Sequence, residues 1–294
     1  MEWLDLSRLA VAIAVMVAAS YSDWRTRLAS DLYWLFMGCV GLGLIAYQVV
    51  DTGADPLYLL FLVPLGVVFF DVFWERKGIF EDGINPAPLL LYLGAAVCLI
   101  YLALNFWEEM LFWQLLDVLI MFGLLILLYQ VDIIKGGADA KALIALSLMF
   151  PVYPIIGSFP LIPIPDELSM LIFPFSLLIL FNAAILSLIV PLGLLLYNLV
   201  RRDIKLPAML LGYKADMQEA KKRFVWPMQR VENGELKFVY FPKEDEENEK
   251  ILRDLIAFGM KRIWVTPKIP FLIFITAGVV VSAIVGNPIL AFIG

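Results

Sequence analysis

V-D-I-I-K-G-G-A-D-A-K-A-L-I-A-L, residues Val131–Leu146, is a short polar break between two apolar stretches. Leu111–Val131 precedes it and Ala140–Ile156 follows. A helix needs about 20 apolar residues to cross the hydrocarbon core of a bilayer. The first run meets that length. The second is interrupted by Pro151 and Pro154, which predicts a short or bent span. The stretch therefore reads as a turn between two membrane helices, with Asp132, Lys135, Asp139 and Lys141 gathered at one membrane face.

Working outward, the same criterion gives about eight candidate spans. The others are Leu6–Tyr21, Leu32–Val50, Leu57–Trp74, Pro88–Phe106, Leu171–Val200 and Phe271–Ile293. Pro174 and Pro191 are expected to kink the long seventh run. The chain of 294 residues is 62% hydrophobic and 17% charged, against roughly half apolar and a quarter charged for a soluble domain. The expected fold class is an α-helical polytopic membrane protein with a small cytoplasmic α+β domain. Its expected parts are a transmembrane bundle over 1–200, the cytoplasmic domain over 201–268 and a last transmembrane helix over 269–294.

Lys and Arg set the orientation. Arg25 and Arg27, then Arg76 and Lys77, then Lys135 and Lys141, and finally the basic residues of Arg201–Lys268 occupy alternate connections. The intervening connections, Asp51–Asp55, Asn105–Met110 and Gly157–Glu167, contain neither residue type. Only Arg8 departs from the pattern. Both termini are expected outside and the glycine-containing turn in the cytoplasm. Met1–Arg8 lacks the basic start of a cleavable signal peptide. In the charged connection, Phe224–Glu232 and Glu235–Phe241 flank Asn233-Gly234, a hairpin signal. Glu244–Phe258 reads as a helix with Ile251, Leu252, Leu255 and Ile256 on one side and Gly259 after its end. Ile263–Val265 reads as a short strand. The run Lys243–Lys250 reads as a solvated helix start.

The chain has no histidine, and its two cysteines, Cys39 and Cys98, lie inside apolar runs. Imidazole catalysis, His-ligated metals and a disulfide framework are excluded. No metal and no cofactor is expected, and no basic stripe suggests nucleic acid. Proton chemistry falls to carboxylates. Asp23 and Asp31 flank the turn after the first span, Asp71 ends the third, and Asp132 and Asp139 bracket the glycines. All five are expected at one rim. Ser30 and Asp31 are also N-cap types, and Asp71 also suits the interface beside Arg76. Asp117, within the fifth span, is expected to pair with a polar group such as Asn182. If Asp139 meets Asp23, one ionised and one protonated carboxyl form an acid–base pair able to activate water against a peptide carbonyl.

Ser22-Asp23-Trp24-Arg25-Thr26-Arg27, Lys135-Gly136-Gly137-Ala138-Asp139-Ala140-Lys141 and Ile263–Phe271 together resemble the archaeal type IV prepilin and preflagellin (archaellin) peptidases, membrane aspartyl proteases of the GxGD class. The resemblance implies that Asp23 and Asp139 are catalytic, that Gly136, Gly137 and Ala138 shape the turn, and that Lys141 supports it. It implies cytoplasmic removal of short basic leaders from pilin or archaellin precursors, substrates with a class III signal peptide, by a plasma-membrane enzyme. Asp31 and Asp71 become candidates for attracting the leader. The family pattern has glycine where this chain has Ala138, which would strain alanine if that position needs φ > 0. Spans three and four look like an inserted pair. The paired-cysteine zinc region and methyl-donor site of bacterial members have no counterpart, so peptidase activity without N-methylation is expected. Pro207-Ala208-Met209 lies in the soluble connection and is not the Pro-Ala-Leu motif of presenilins. Two other readings are a proton- or cation-coupled transporter and an assembly scaffold.

Overall fold

The computed structural model describes residues 2–74, 83, 85–162, 173–242 and 248–288. The Arg76 and Lys77 connection, the Gly157–Glu167 connection beyond 162, the Lys243–Glu247 part of the acidic run and the end of the last span lie outside the described residues. The chain divides into two compact units, Met1–Leu186 with Pro270–Gly294, and Ser187–Ile269. The second unit thus begins upstream of residue 201 and takes in an apolar helix.

The first unit is helical. In chain order it contains α1 (Glu2–Thr26), α2 (Asp31–Asp51), a 3-10 segment (Pro56–Phe61) running into α3 (Leu62–Asp71), α4 (Pro86–Phe106), α5 (Met110–Gln130), α6 (Gly137–Met149) and α7 (Phe175–Ser187). Among the described residues, α1, α2, α4, α5 and the run Phe175–Arg201 are long and apolar enough to cross a membrane. Pro56–Asp71 and the last helix are apolar but shorter. The protein is a polytopic membrane protein.

The first span corrects the expected boundary. It runs to Thr26, so Asp23 stands in the last helical turn and not in the loop. The run expected as one seventh span is interrupted by a turn at Leu188. Pro191 explains the break, because its ring meets the carbonyl four residues back, that of Ser187.

The centre of the bundle is α6. From Ala142 to Met149 every residue is buried, as a helix that is apolar all round requires. It packs against α2, α5, α1 and the last helix, α12 (Phe271–Val285). Its tightest partner is α2, where a Cβ on Gly41 would stand 3.0 Å from the Leu148 backbone. Thirteen residues rise roughly 20 Å, too little to span, and α6 ends before Pro151 as expected. The irregular backbone that follows finds partners in protein, as apolar surroundings demand. Ile155 N–H donates to Asp5 (3.1 Å), Gly157 N–H to Glu2, Leu161 N–H to the Ile284 carbonyl (2.8 Å) and Ile162 N–H to that of Val285 (3.0 Å).

The second unit contains α8 (Ile189–Arg201), α9 (Ala208–Leu211), β1 (Tyr213–Asp216), α10 (Met217–Lys222), β2 (Val225–Pro227), β3 (Gln229–Glu232), β4 (Glu235–Phe238), α11 (Asn248–Ala257) and β5 (Arg262–Pro267). An antiparallel sheet of order β1-β5-β2 pairs Tyr213 with Val265 and Trp226 with Thr266. Both faces of β5 are covered, with Ile263, Trp264 and Val265 buried. The β3–β4 hairpin turns at Asn233 (φ 54°) and Gly234 (φ 78°), the paired positive dihedrals that the dipeptide supplies at low cost. The expected first hairpin strand is split, since Val225–Pro227 joins the other sheet. On α11, Leu252 and Leu255 are buried, whereas Ile256 faces outward.

Candidate active site

The two aspartates arrive on opposite kinds of helix end. Asp23 lies in the last turn of α1, where its carbonyl accepts from Arg27 N–H at 2.9 Å. Arg27 has φ 59° and ends the helix in the left-handed conformation common after a last turn. Asp139 lies in the first turn of α6. α5 stops at Gln130, and Asp132, at φ 59°, turns the chain. Aspartate tolerates that conformation better than most residues. Five residues later the chain re-enters the bundle.

The helix starts impose the glycine requirement, but not through φ. Gly136 is the N-cap at φ −87°, and Gly137 and Ala138 are already helical. Ala138 is therefore unstrained, since the position needs no positive φ. What Gly136 supplies is space. A Cβ at that position would overlap the Asp139 carboxylate, which lies directly over it. A Cβ on Gly137 would meet the Tyr129 hydroxyl at 3.4 Å, an ordinary contact.

The carboxylates of Asp23 and Asp139 are within electrostatic reach of one another, and Arg27 is within reach of Asp23. Both aspartates are half-buried. Among the described residues neither side chain makes a hydrogen bond. Carboxyls that feel one another's charge disfavour double ionisation. With no hydrogen bond made among the described residues, the pair is available to a water or to a polar group of a bound chain.

The other sequence-derived residues have different partners. Lys141 Nζ contacts both Asp31 oxygens at 2.8 Å and lies 5.2 Å from the centre of the Phe73 ring. That contact spans 110 residues of sequence and joins the first turn of α2 to the first turn of α6. Ser30, not Asp31, caps α2, accepting from Leu32 N–H at 3.3 Å. Asp71 accepts from the Tyr92 hydroxyl at 2.6 Å. Asp117 is buried in α5, but it does not pair with Asn182, which donates to Ser282 at 2.8 Å. Tyr129 and Phe73 were not singled out from sequence. Aromatic residues in an aromatic-rich apolar chain carry no local mark of what they touch.

Arg8, the exception to the charge pattern, is 1% exposed. Its guanidinium donates to Gln48 at 2.7 Å and lies 3.6 Å from Asp5. It is an internal paired charge and not a loop charge, so it carries no weight in the orientation rule.

Residues 204–287 match the family model described as Archaeal Peptidase A24 C-terminus Type II. The chain is 24% identical over 278 residues to an uncharacterized protein of Methanocaldococcus jannaschii, covering 92% of this chain and 89% of that relative. It is 29% identical over 160 residues to a preflagellin peptidase of the same organism, covering 53% of this chain and 64% of that relative. Over residues 204–287 the chain is therefore similar to archaeal A24 peptidases.

Proposed function

We propose that this protein is an aspartic endopeptidase that removes short basic leaders from archaellin or type IV pilin precursors at the cytoplasmic membrane face. The observation that carries the reading is that α1 packs on α6 with Asp23 in the last turn of one and Asp139 in the first turn of the other, where Asp139 feels the charge of Asp23 and neither side chain is hydrogen-bonded among the described residues. The family match and the preflagellin peptidase relative support the reaction class.

The chemistry follows from the pair. The ionised carboxylate takes a proton from a water as the water oxygen attacks the scissile carbonyl carbon. The protonated carboxyl gives its proton to the carbonyl oxygen. Collapse of the tetrahedral diol returns a proton to the leaving nitrogen and breaks the C–N bond. The shared proton belongs to the pair, so neither aspartate is assigned permanently as acid or base. Neither a metal nor a cofactor enters these steps.

Orientation fits the same reading. Arg25, Arg27, Lys135 and Lys141 gather at the helix ends and turns that hold the aspartates, the side that the positive-inside rule assigns to the cytoplasm. A basic leader seeking Asp31 must compete with Lys141, which already holds both of its oxygens. Leader attraction by Asp31 is therefore weaker than its charge alone suggests.

The test is cleavage of a pilin-like precursor by detergent-solubilised protein, wild type against Asp23→Asn and Asp139→Asn. Each substitution should lower the rate by at least about 10²-fold while precursor binding persists. Substantial activity in either folded variant contradicts the pairing.

A further inference from the structure

The second unit carries a feature that peptide hydrolysis leaves unused. An apolar groove of about 470 Å³ runs along α8. Ile189, Gly193 and Leu194 supply the helix side, and Pro267 and Ile269 supply the other. Gly193 keeps it open, since nothing lies within 4 Å of where its Cβ would stand. From Ile189 to Tyr197 the helix rises roughly 12 Å, which sets the length of the floor.

The polar groups collect at the Tyr197 end. The Tyr197 and Tyr213 rings meet edge to face at 5.8 Å. Tyr213 lies beside Arg223, which also lines the groove. Glu219 holds the Arg223 guanidinium at 2.8 Å, yet that side chain is 61% exposed. A guanidinium has five N–H donors, so donors remain for an anionic oxygen. Lys221, Lys222 and Arg223 outnumber Glu219 around it, and Phe224 beside them is 51% exposed.

The helix that floors this groove is the second half of an apolar run long enough to cross a membrane, Phe175–Arg201. The apolar floor therefore belongs at bilayer depth. The Tyr197 end belongs where that run gives way to Arg201 and Arg202, the interfacial level at which aromatic and basic residues collect. An apolar slot at depth, ending in a cation at the water boundary, matches a lipid with an acidic headgroup. We propose that this groove binds an anionic phospholipid, with an acyl chain along α8 and its phosphate on Arg223. The site is independent of the catalytic pair.

Native mass spectrometry of the full-length protein, with added phosphatidylglycerol or phosphatidylcholine, tests this. The wild type should retain phosphatidylglycerol preferentially. Arg223→Gln should reduce that preference about fivefold. Gly193→Leu should remove adducts of both lipids without lowering Tm, because its side chain enters open space on a helix that favours leucine over glycine. Equal adducts in wild type and both variants overturn the site. Loss with Gly193→Leu but none with Arg223→Gln overturns the phosphate assignment. Loss of precursor binding in Gly193→Leu with lipid adducts unchanged assigns the groove to the precursor's apolar helix and overturns the proposal.

Discussion

The two ends of α1 treat charge in opposite ways. Near its start, Arg8 is almost fully buried, and Gln48 and Asp5 take its guanidinium while Asp5 and Glu2 hold the backbone N–H groups of Ile155 and Gly157. Near its end, roughly 22 Å further along, the charge of Asp23 acts on Asp139 and neither carboxylate is hydrogen-bonded among the described residues. Buried charge used for architecture is paired with fixed partners, because leaving it unpaired is costly. Charge left half-buried and unsatisfied beside a like charge is poorly suited to architecture and well suited to proton transfer. The contrast separates the ionic group that builds the bundle from the pair that the proposed reaction uses.

The largest expected effect falls at the architectural end. Arg8→Ala leaves Asp5 without its cation and should destabilise the protein by about 3 kcal/mol, read by thermal unfolding in detergent. Cleavage per folded molecule should stay near wild type. A variant that keeps its stability but loses cleavage would erase the distinction between the two ends.

Next comes Gly136→Ala. The added methyl must displace the Asp139 carboxylate, so cleavage should fall roughly 10²-fold, equivalent to about 2.7 kcal/mol of barrier, with little change in Tm. Gly137→Ala makes only an ordinary contact and should retain most activity. Equal activity in the two variants would show that the carboxylate position over Gly136 is unimportant.

The smallest effect concerns the Asp31–Lys141 pair. Both side chains are partly exposed, and such pairs contribute about 0–1 kcal/mol. Their value lies in position, tying α6 to α2 two residues beyond Asp139. Lys141→Asp should lower kcat several-fold with Tm nearly unchanged, and adding Asp31→Lys should recover part of it. If Asp31→Lys alone raises KM for a basic-leader substrate and the double exchange does not restore kcat, Asp31 acts on the leader instead.

Much of this arrangement was legible in the sequence, for identifiable reasons. Apolar run length announced the spans, and Asn233-Gly234 announced the hairpin because both residues accept positive φ cheaply. The Gly136–Asp139 stretch announced a helix start beside a carboxylate. What it did not announce was why Gly136 must be glycine. That requirement comes from a side chain three residues ahead folding back over it, which only coordinates reveal. The Asp31–Lys141 pair was hidden for a related reason, since a contact between residues 110 apart leaves no local pattern. Asp23 reads as a loop residue because the apolar run stops at Tyr21, whereas α1 continues through it to Thr26. The strand Tyr213–Asp216 escaped notice because four residues carry too little alternation to stand out, and its pairing with β5 makes it a strand.

The central claim is that Asp23 and Asp139 act as one unit. Its most direct measurement is the cleavage rate of the Asp23→Asn/Asp139→Asn double variant against each single variant. Residues that share one chemical step lose their contribution together. The double variant should therefore be no slower than the slower single one. Losses that multiply across the two positions would contradict a shared proton and assign the two carboxylates separate tasks.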